Sequence, residues 1–175
     1  MITSESQAFD PFEGDMLYEE LRKLAAYRLA NELPGQTLDA TGLVHEVYLR
    51  LFVPQKLDRW VNEAHFFSSA AEAMRRILVD NARRKKASKR GGELQRVDLP
   101  TDLPMSDPEA ELIALDEAIE RLETHDLRKA NVVKLRYFAG LTAMQIAETL
   151  NIATSTVDAD WAYAKAWLKM QMTRE

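Results

Sequence analysis

The stretch from Trp60 to Gly92 leaves this chain the fewest structural options. On a helical period, Phe67, Ala70, Ala71, Met74, Ile77 and Leu78 fall on one side, at the three-and-four spacing of a helix packed on a core. The far side carries Ser69, Arg76 and Arg83, flanked by Glu72 and Arg75. From Arg75 to Arg90 there are eight cationic residues against the single Asp80, in a chain whose net charge is -5. The plain reading is a solvated helix end, with cations complementing the helix dipole and Asp80 paired to Arg76 and Arg84 at four-residue spacing. The functional reading is a nucleic-acid footprint, in which the cations meet phosphates and Trp60, His65 and Phe66 offer surfaces to unstacked bases.

Composition excludes several classes. A chain of 175 residues with 46% hydrophobic content can bury a core as one domain or two small ones. No apolar run approaches the roughly 20 residues of a membrane span, and the N-terminal residues lack the pattern of a signal peptide, so a cytoplasmic protein without membrane association is expected. The absence of cysteine excludes disulfides and thiolate chemistry. His45-Glu46 does not make a zinc-protease helix, because position 49 is Leu where a second His is needed. There is no Gly-rich phosphate loop and no nucleophile elbow, so neither an enzyme nor a bound cofactor or metal is expected.

Helical periods divide the rest of the chain. A first helix or helix pair is expected over 10–33, with Leu17, Leu21, Leu24 and Ala25 on one stripe and Pro34-Gly35 as its stop. A second runs from about Asp39 to Phe52, with Leu43, Val44, Val47, Tyr48 and Leu51 as its core face. Its other face, His45, Glu46, Leu49 and Arg50, is either a bland surface or a docking face. Residues 91–107 hold two glycines and two prolines without a helical period and read as a flexible linker between two small helical domains. Asp107-Pro108 opens the next helix, with Leu112, Leu115, Ile119 and Leu122 as its stripe. Another covers Leu127 to Phe138, closed by Gly140.

Beyond Gly140 the pattern is a helix-turn-helix. Thr142 and Gln145 form a capping box, Asn151 takes the tight turn, and Val157, Trp161, Ala164 and Leu168 face inward on the last helix. Its outer face, Ser155, Asp158, Ala159, Ala162 and Tyr163, is the one a DNA-reading motif sets in the major groove; a hairpin used only for packing is the alternative.

Together these motifs resemble the extracytoplasmic-function group of bacterial RNA polymerase sigma factors, which keep only the second and fourth sigma domains, and most closely the subgroup common in planctomycetes. The likeness spans about Asp15 to Met170. DATGLVHEVYLRLF resembles the helix that docks on the polymerase clamp, and HFFSSAAEAMRRILVDNARRKKASKRGG resembles the segment that melts and reads the minus-ten element. DPEAELIALDEAIERLE, VVKLRYFAGLT and TVDADWAYAKAWL resemble the domain that binds the minus-thirty-five element. The resemblance implies an all-α chain with domain two over 10–90, a linker over 91–107 and domain four over 108–172. It implies core RNA polymerase and promoter DNA as partners, and leaves open an anti-sigma protein or other regulator.

The resemblance assigns polymerase contact to His45, Glu46, Leu49 and Arg50. It assigns minus-ten DNA contact to Trp60, Asn62, His65, Phe66, Arg75, Arg76, Arg83, Arg84, Lys85 and Lys86, with the loop Leu57 to Phe66 capturing an extruded base. For the helix-turn-helix it implies Thr142, Thr154, Ser155, Thr156, Asp158, Ala159, Ala162, Tyr163 and Lys165. The chain departs from the family where Arg commonly stands near positions 159 and 162, here both Ala, and where a Ser cap is replaced by Ala153. Weak upstream-element binding by domain four is the expectation. Two readings compete: a polymerase-independent helix-turn-helix regulator, and a sigma-like decoy.

Overall fold

The computed structural model describes residues 40–52, 62–91 and 107–173, together with residues 19, 22, 25 and 26. The expected first helix is therefore described only at those four positions, all helical, with Ala25 fully buried. Trp60, the rest of the loop up to Val61, and linker residues 92–106 lie outside the described residues. The ordered elements are all helices: α1 (Ala40–Phe52), α2 (Glu63–Gly91), α3 (Pro108–His125), α4 (Leu127–Tyr137), α5 (Ala143–Leu150) and α6 (Thr154–Thr173). No strand occurs among the described residues.

Helix boundaries follow local chemistry. Asp107 caps α3 by accepting from the Ala110 N–H at 3.4 Å, with Pro108 in the first turn, where a missing N–H costs nothing. Asp126 serves two helices at once: its N–H closes α3 on Leu122 at 2.7 Å, and its side chain caps α4 through the Lys129 N–H at 3.1 Å. Gly140, at φ 58°, turns the chain out of α4. In α5 the capping box is complete, with Thr142 Oγ1 accepting from the Gln145 N–H at 3.2 Å and Gln145 Oε1 accepting from the Thr142 N–H at 2.9 Å. Asn151 sits in the left-handed region at φ 52°, ψ 51°, and the α5–α6 turn is complete by Ala153.

One apolar core runs through both halves of the molecule. It joins Leu43, Val44 and Val47 of α1 and Phe66, Phe67, Ala70, Met74 and Ile77 of α2 to Ile119, Leu122, Val132, Leu135, Phe138, Ile146, Val157, Ala164 and Leu168. Helix α2 is central, packing on α1 and also on α3, α4 and α5. The expected one-sided helix is thus buried on more than one flank, since Phe66, Ala73, Val79 and Ala82 are buried as well. Tyr48, expected in the core, is 40% exposed. It lies a quarter turn from Val47, at the rim of the α1 stripe that α2 covers.

Candidate nucleic-acid and polymerase interfaces

On α1, the buried stripe Leu43, Val44 and Val47 turns His45, Leu49 and Arg50 outward, with Glu46 half-buried. Leu49 is 42% exposed beside Tyr48, an apolar pair set among charges. Arg50 reaches Glu46 at 3.8 Å and Asp80 on α2 at 3.5 Å, which fixes the α1 face relative to the basic helix. The expected pairing of Asp80 with Arg76 and Arg84 does not form; the tertiary neighbour Arg50 takes the carboxylate, and Arg76 turns to Glu72 at 2.9 Å.

At the start of α2 the sequence-expected base contacts separate. His65 is exposed. Asn62 is exposed and works as a helix cap, its Oδ1 accepting from the His65 N–H at 2.8 Å and its carbonyl from the Phe66 N–H at 3.2 Å. Phe66 is 1% exposed and packs edge-on against Phe67, so it is a core residue and presents no surface to a base in this arrangement. Its signal was present in the sequence: Phe66, Ala70, Ala73 and Ile77 are themselves spaced as a helical stripe.

The cations along α2 also divide. Arg76, Arg83 and Arg84 are exposed, and Lys85 and Lys86 are half-buried. Arg75 is buried, with its guanidinium bound to Asp116 of α3 and to both oxygens of Glu72 at 3.2 Å. Asp116 is itself buried and also receives Arg83 at 3.3 Å. Burial pushes the Asp116 carboxyl up, outweighing the attraction of Arg75 and Arg83. At Glu72 burial also pushes upward, but hydrogen bonds from Arg75 and Arg76, with the charges of Arg75 and Lys134, together hold its carboxyl down at about 2. Arg75 is desolvated as well, yet Glu72 and Asp116 hold its proton more firmly than usual.

In the helix-turn-helix, Val157, Ala164 and Leu168 point inward and Trp161 is half-buried. Thr154, Ser155, Asp158, Ala159, Ala162, Tyr163 and Lys165 are exposed, and Thr156 is half-buried. Thr142 is exposed but engaged in the α5 cap. Asp160, two residues beyond the exposed Asp158, is buried and held by a two-pronged contact from Arg128 at 2.6 and 3.1 Å, with Lys129 at 3.6 Å. The Asp160 carboxylate raises the Arg128 pKa above its ordinary value. This pair pins α6 to the start of α4. On the other flank Arg136 and Lys165 lie over the Trp161 ring at 5.0 and 5.5 Å.

Among the described residues, no cluster of His, Asp and Glu is arranged to hold a metal ion, and no helix is long and apolar enough to cross a membrane. A basic central helix beside a short-turn helix-turn-helix, in an all-α frame, is an arrangement suited to nucleic-acid binding. A family model described as ECF sigma factor matches residues 13–174, and the chain belongs to that family. No curated protein and no solved structure matches the chain. Members of the family are sigma factors of RNA polymerase, transcription regulators and not enzymes; they bind core polymerase and promoter DNA and often an anti-sigma factor.

Proposed function

We propose that this chain binds core RNA polymerase and directs promoter recognition, melting and initiation, with domain two over 10–90, a connector over 91–107 and domain four over 108–172. The match to the ECF family across 13–174 carries the reading. Within that family, our reading assigns it to the subgroup common in planctomycetes, on the likeness of its motifs from about Asp15 to Met170. Polymerase contact falls to His45, Glu46, Leu49 and Arg50, supported by the exposure of Leu49 beside charged neighbours. An apolar side chain rimmed by charges is the usual make-up of a docking face. His65, Arg76, Arg83, Arg84, Lys85 and Lys86 contact the melted minus-ten region, and Trp60 stacks on a base.

Upstream DNA is met by the outer face of α6, Ser155, Asp158, Ala159, Ala162, Tyr163 and Lys165. With Ala at 159 and 162 and a single cation at 165, this face offers phosphates little, and the upstream element contributes less to affinity than the minus-ten region. Run-off transcription with purified bacterial core polymerase on a genomic fragment library, with and without the protein, tests the proposal alongside a core-enzyme pull-down. New discrete start sites are expected. Core binding without transcripts would favour a decoy, and DNA binding without core binding would favour a polymerase-independent regulator.

A further inference from the structure

Asp158 is an acid without a structural reason. Among the described residues the other aspartates all have one: Asp80, Asp116 and Asp160 are paired to arginines, and Asp107 and Asp126 cap helices. Asp158 is exposed and takes neither a hydrogen bond nor an ion pair. The positions one turn away on its own helix, Thr154, Ser155, Trp161 and Ala162, carry no cation. It also lies past the first turn of α6, which holds no acid and is where the helix dipole favours one most. Lys165, two turns along the same side, lies over the Trp161 ring instead.

Its place is that of a base reader. Thr154 opens α6, so Asp158 stands in the N-terminal half of the helix, the part that a helix-turn-helix turns to base edges. Ser155, Ala159 and Ala162 surround it on the outer face, all exposed and all small. No long side chain at these positions holds the helix off the groove, so a short carboxylate can reach a base edge. An ionised carboxylate only accepts hydrogen bonds. In the major groove guanine shows two acceptors, and thymine an acceptor and a methyl group, so neither gives it a partner. Adenine sets its amino group beside the acceptor N7, whereas cytosine shows an amino group alone. Cytosine is therefore the base that an unpaired carboxylate suits best.

We propose that Asp158 is a specificity-determining residue that selects a cytosine in the upstream promoter element by accepting from its N4 amino group. This rests on the reading of α6 as the helix that meets upstream DNA. The residue supplies choice and not strength. Phosphates on either side of the groove repel its charge while the base edge rewards it, so affinity and base preference separate when it is replaced.

Selection from duplex oligonucleotides of randomised sequence, with the full chain alone and assembled on bacterial core polymerase, tests the assignment. The unsubstituted chain should favour cytosine at one position by about fivefold or more, the lower end of what one wrong base pair costs. Asp158→Asn should move the preference at that position to adenine, because a carboxamide donates to N7 and accepts from N6. Asp158→Ala should lose the preference there, keep those at other positions, and bind mixed-sequence duplex no more weakly than the unsubstituted chain. Glu117→Gln, at an exposed acid of α3, removes the same charge and should leave every base preference in place. Asp158 variants that keep the cytosine preference, or that lose all preferences together, overturn the proposal. So does an unsubstituted chain that enriches no cytosine position in either form. Transcription from the selected sites that is indifferent to residue 158 upholds the sigma reading and overturns this one. A cytosine choice that follows residue 158 in a chain that does not bind polymerase upholds this one and overturns the sigma reading.

Discussion

The two helices of the helix-turn-helix begin differently, and the difference is measurable. At α5, Thr142 supplies an oxygen to the Gln145 N–H and Gln145 returns one to Thr142, so two of the four N–H groups left over at a helix start are satisfied. At α6 the corresponding residue is Ala153, whose carbonyl accepts from Thr156 and Val157 at 3.0 and 3.1 Å but whose side chain accepts nothing. Ala153 is exposed, so a serine hydroxyl has room. Ala153→Ser should therefore stabilise the fold by about 0.5–2 kcal/mol, the usual worth of an N-cap. For a chain of this size that is a rise in melting temperature of about 1–8 °C. Thr142→Ala should lower it by a similar amount. Circular dichroism melts read both, and amide exchange at Ser155 should slow by roughly 2- to 30-fold in the Ala153→Ser chain if the gain is local. Should Ala153→Ser leave the melting temperature unchanged while Thr142→Ala lowers it, the start of α6 already has an acceptor, and the reasoning fails.

Arg75→Met should lower stability by up to about 3–5 kcal/mol because it leaves the buried Asp116 with only the exposed Arg83 as a partner, whereas Arg76→Ala, with a side chain 66% exposed, should change it by less than about 1 kcal/mol; parallel thermal melts decide, and equal effects would return both arginines to the DNA surface. Ala159→Arg with Ala162→Arg should strengthen binding of the full chain to duplex promoter DNA and steepen its logarithmic salt dependence by about 2, roughly 0.9 per new phosphate contact; fluorescence anisotropy across a salt series measures the slope. Glu72, lowered from 4.5 to about 2, contributes stability that is complete above pH 4.5 and lost as the pH falls toward 2. Glu72→Gln should therefore cost about 2 kcal/mol at neutral pH, allowing for solvent screening, with the difference from the unsubstituted chain vanishing by about pH 2.

Local signals in the sequence were reliable wherever a short stretch decided the outcome. The capping box at Thr142, the left-handed Asn151, the Asp107 cap and the inward Val157, Ala164 and Leu168 depend on neighbours within a turn or two, and each took the expected place. Signals failed where a distant neighbour outbid a near one. Asp80 has Arg76 and Arg84 at helical spacing but pairs with Arg50 from another helix. Asp160 counts as an acid of the last helix by position, yet Arg128, 32 residues away, draws it inward. Val79 and Ala82 did hint at a second buried flank of α2, two small apolar residues in line with Arg75.

That second flank changes what a count of cations means. Eight positive residues between Arg75 and Arg90 describe the charge of the segment, but charge available to DNA depends on what else the guanidinium and ammonium groups meet. Arg75, Arg76, Arg83 and Lys89 each have a carboxylate partner, three of them in Asp116 or Glu109 of α3. Arg84, Lys85 and Lys86 have no ion pair among the described residues and are the cations this arrangement leaves to phosphate. Counterion release scales with the phosphates neutralised, so the footprint of this helix is set by the cations that carboxylates leave unpaired. The acids of α3 thus neutralise part of the basic helix, and the whole-chain charge, -5, carries no information about which of its cations remain available.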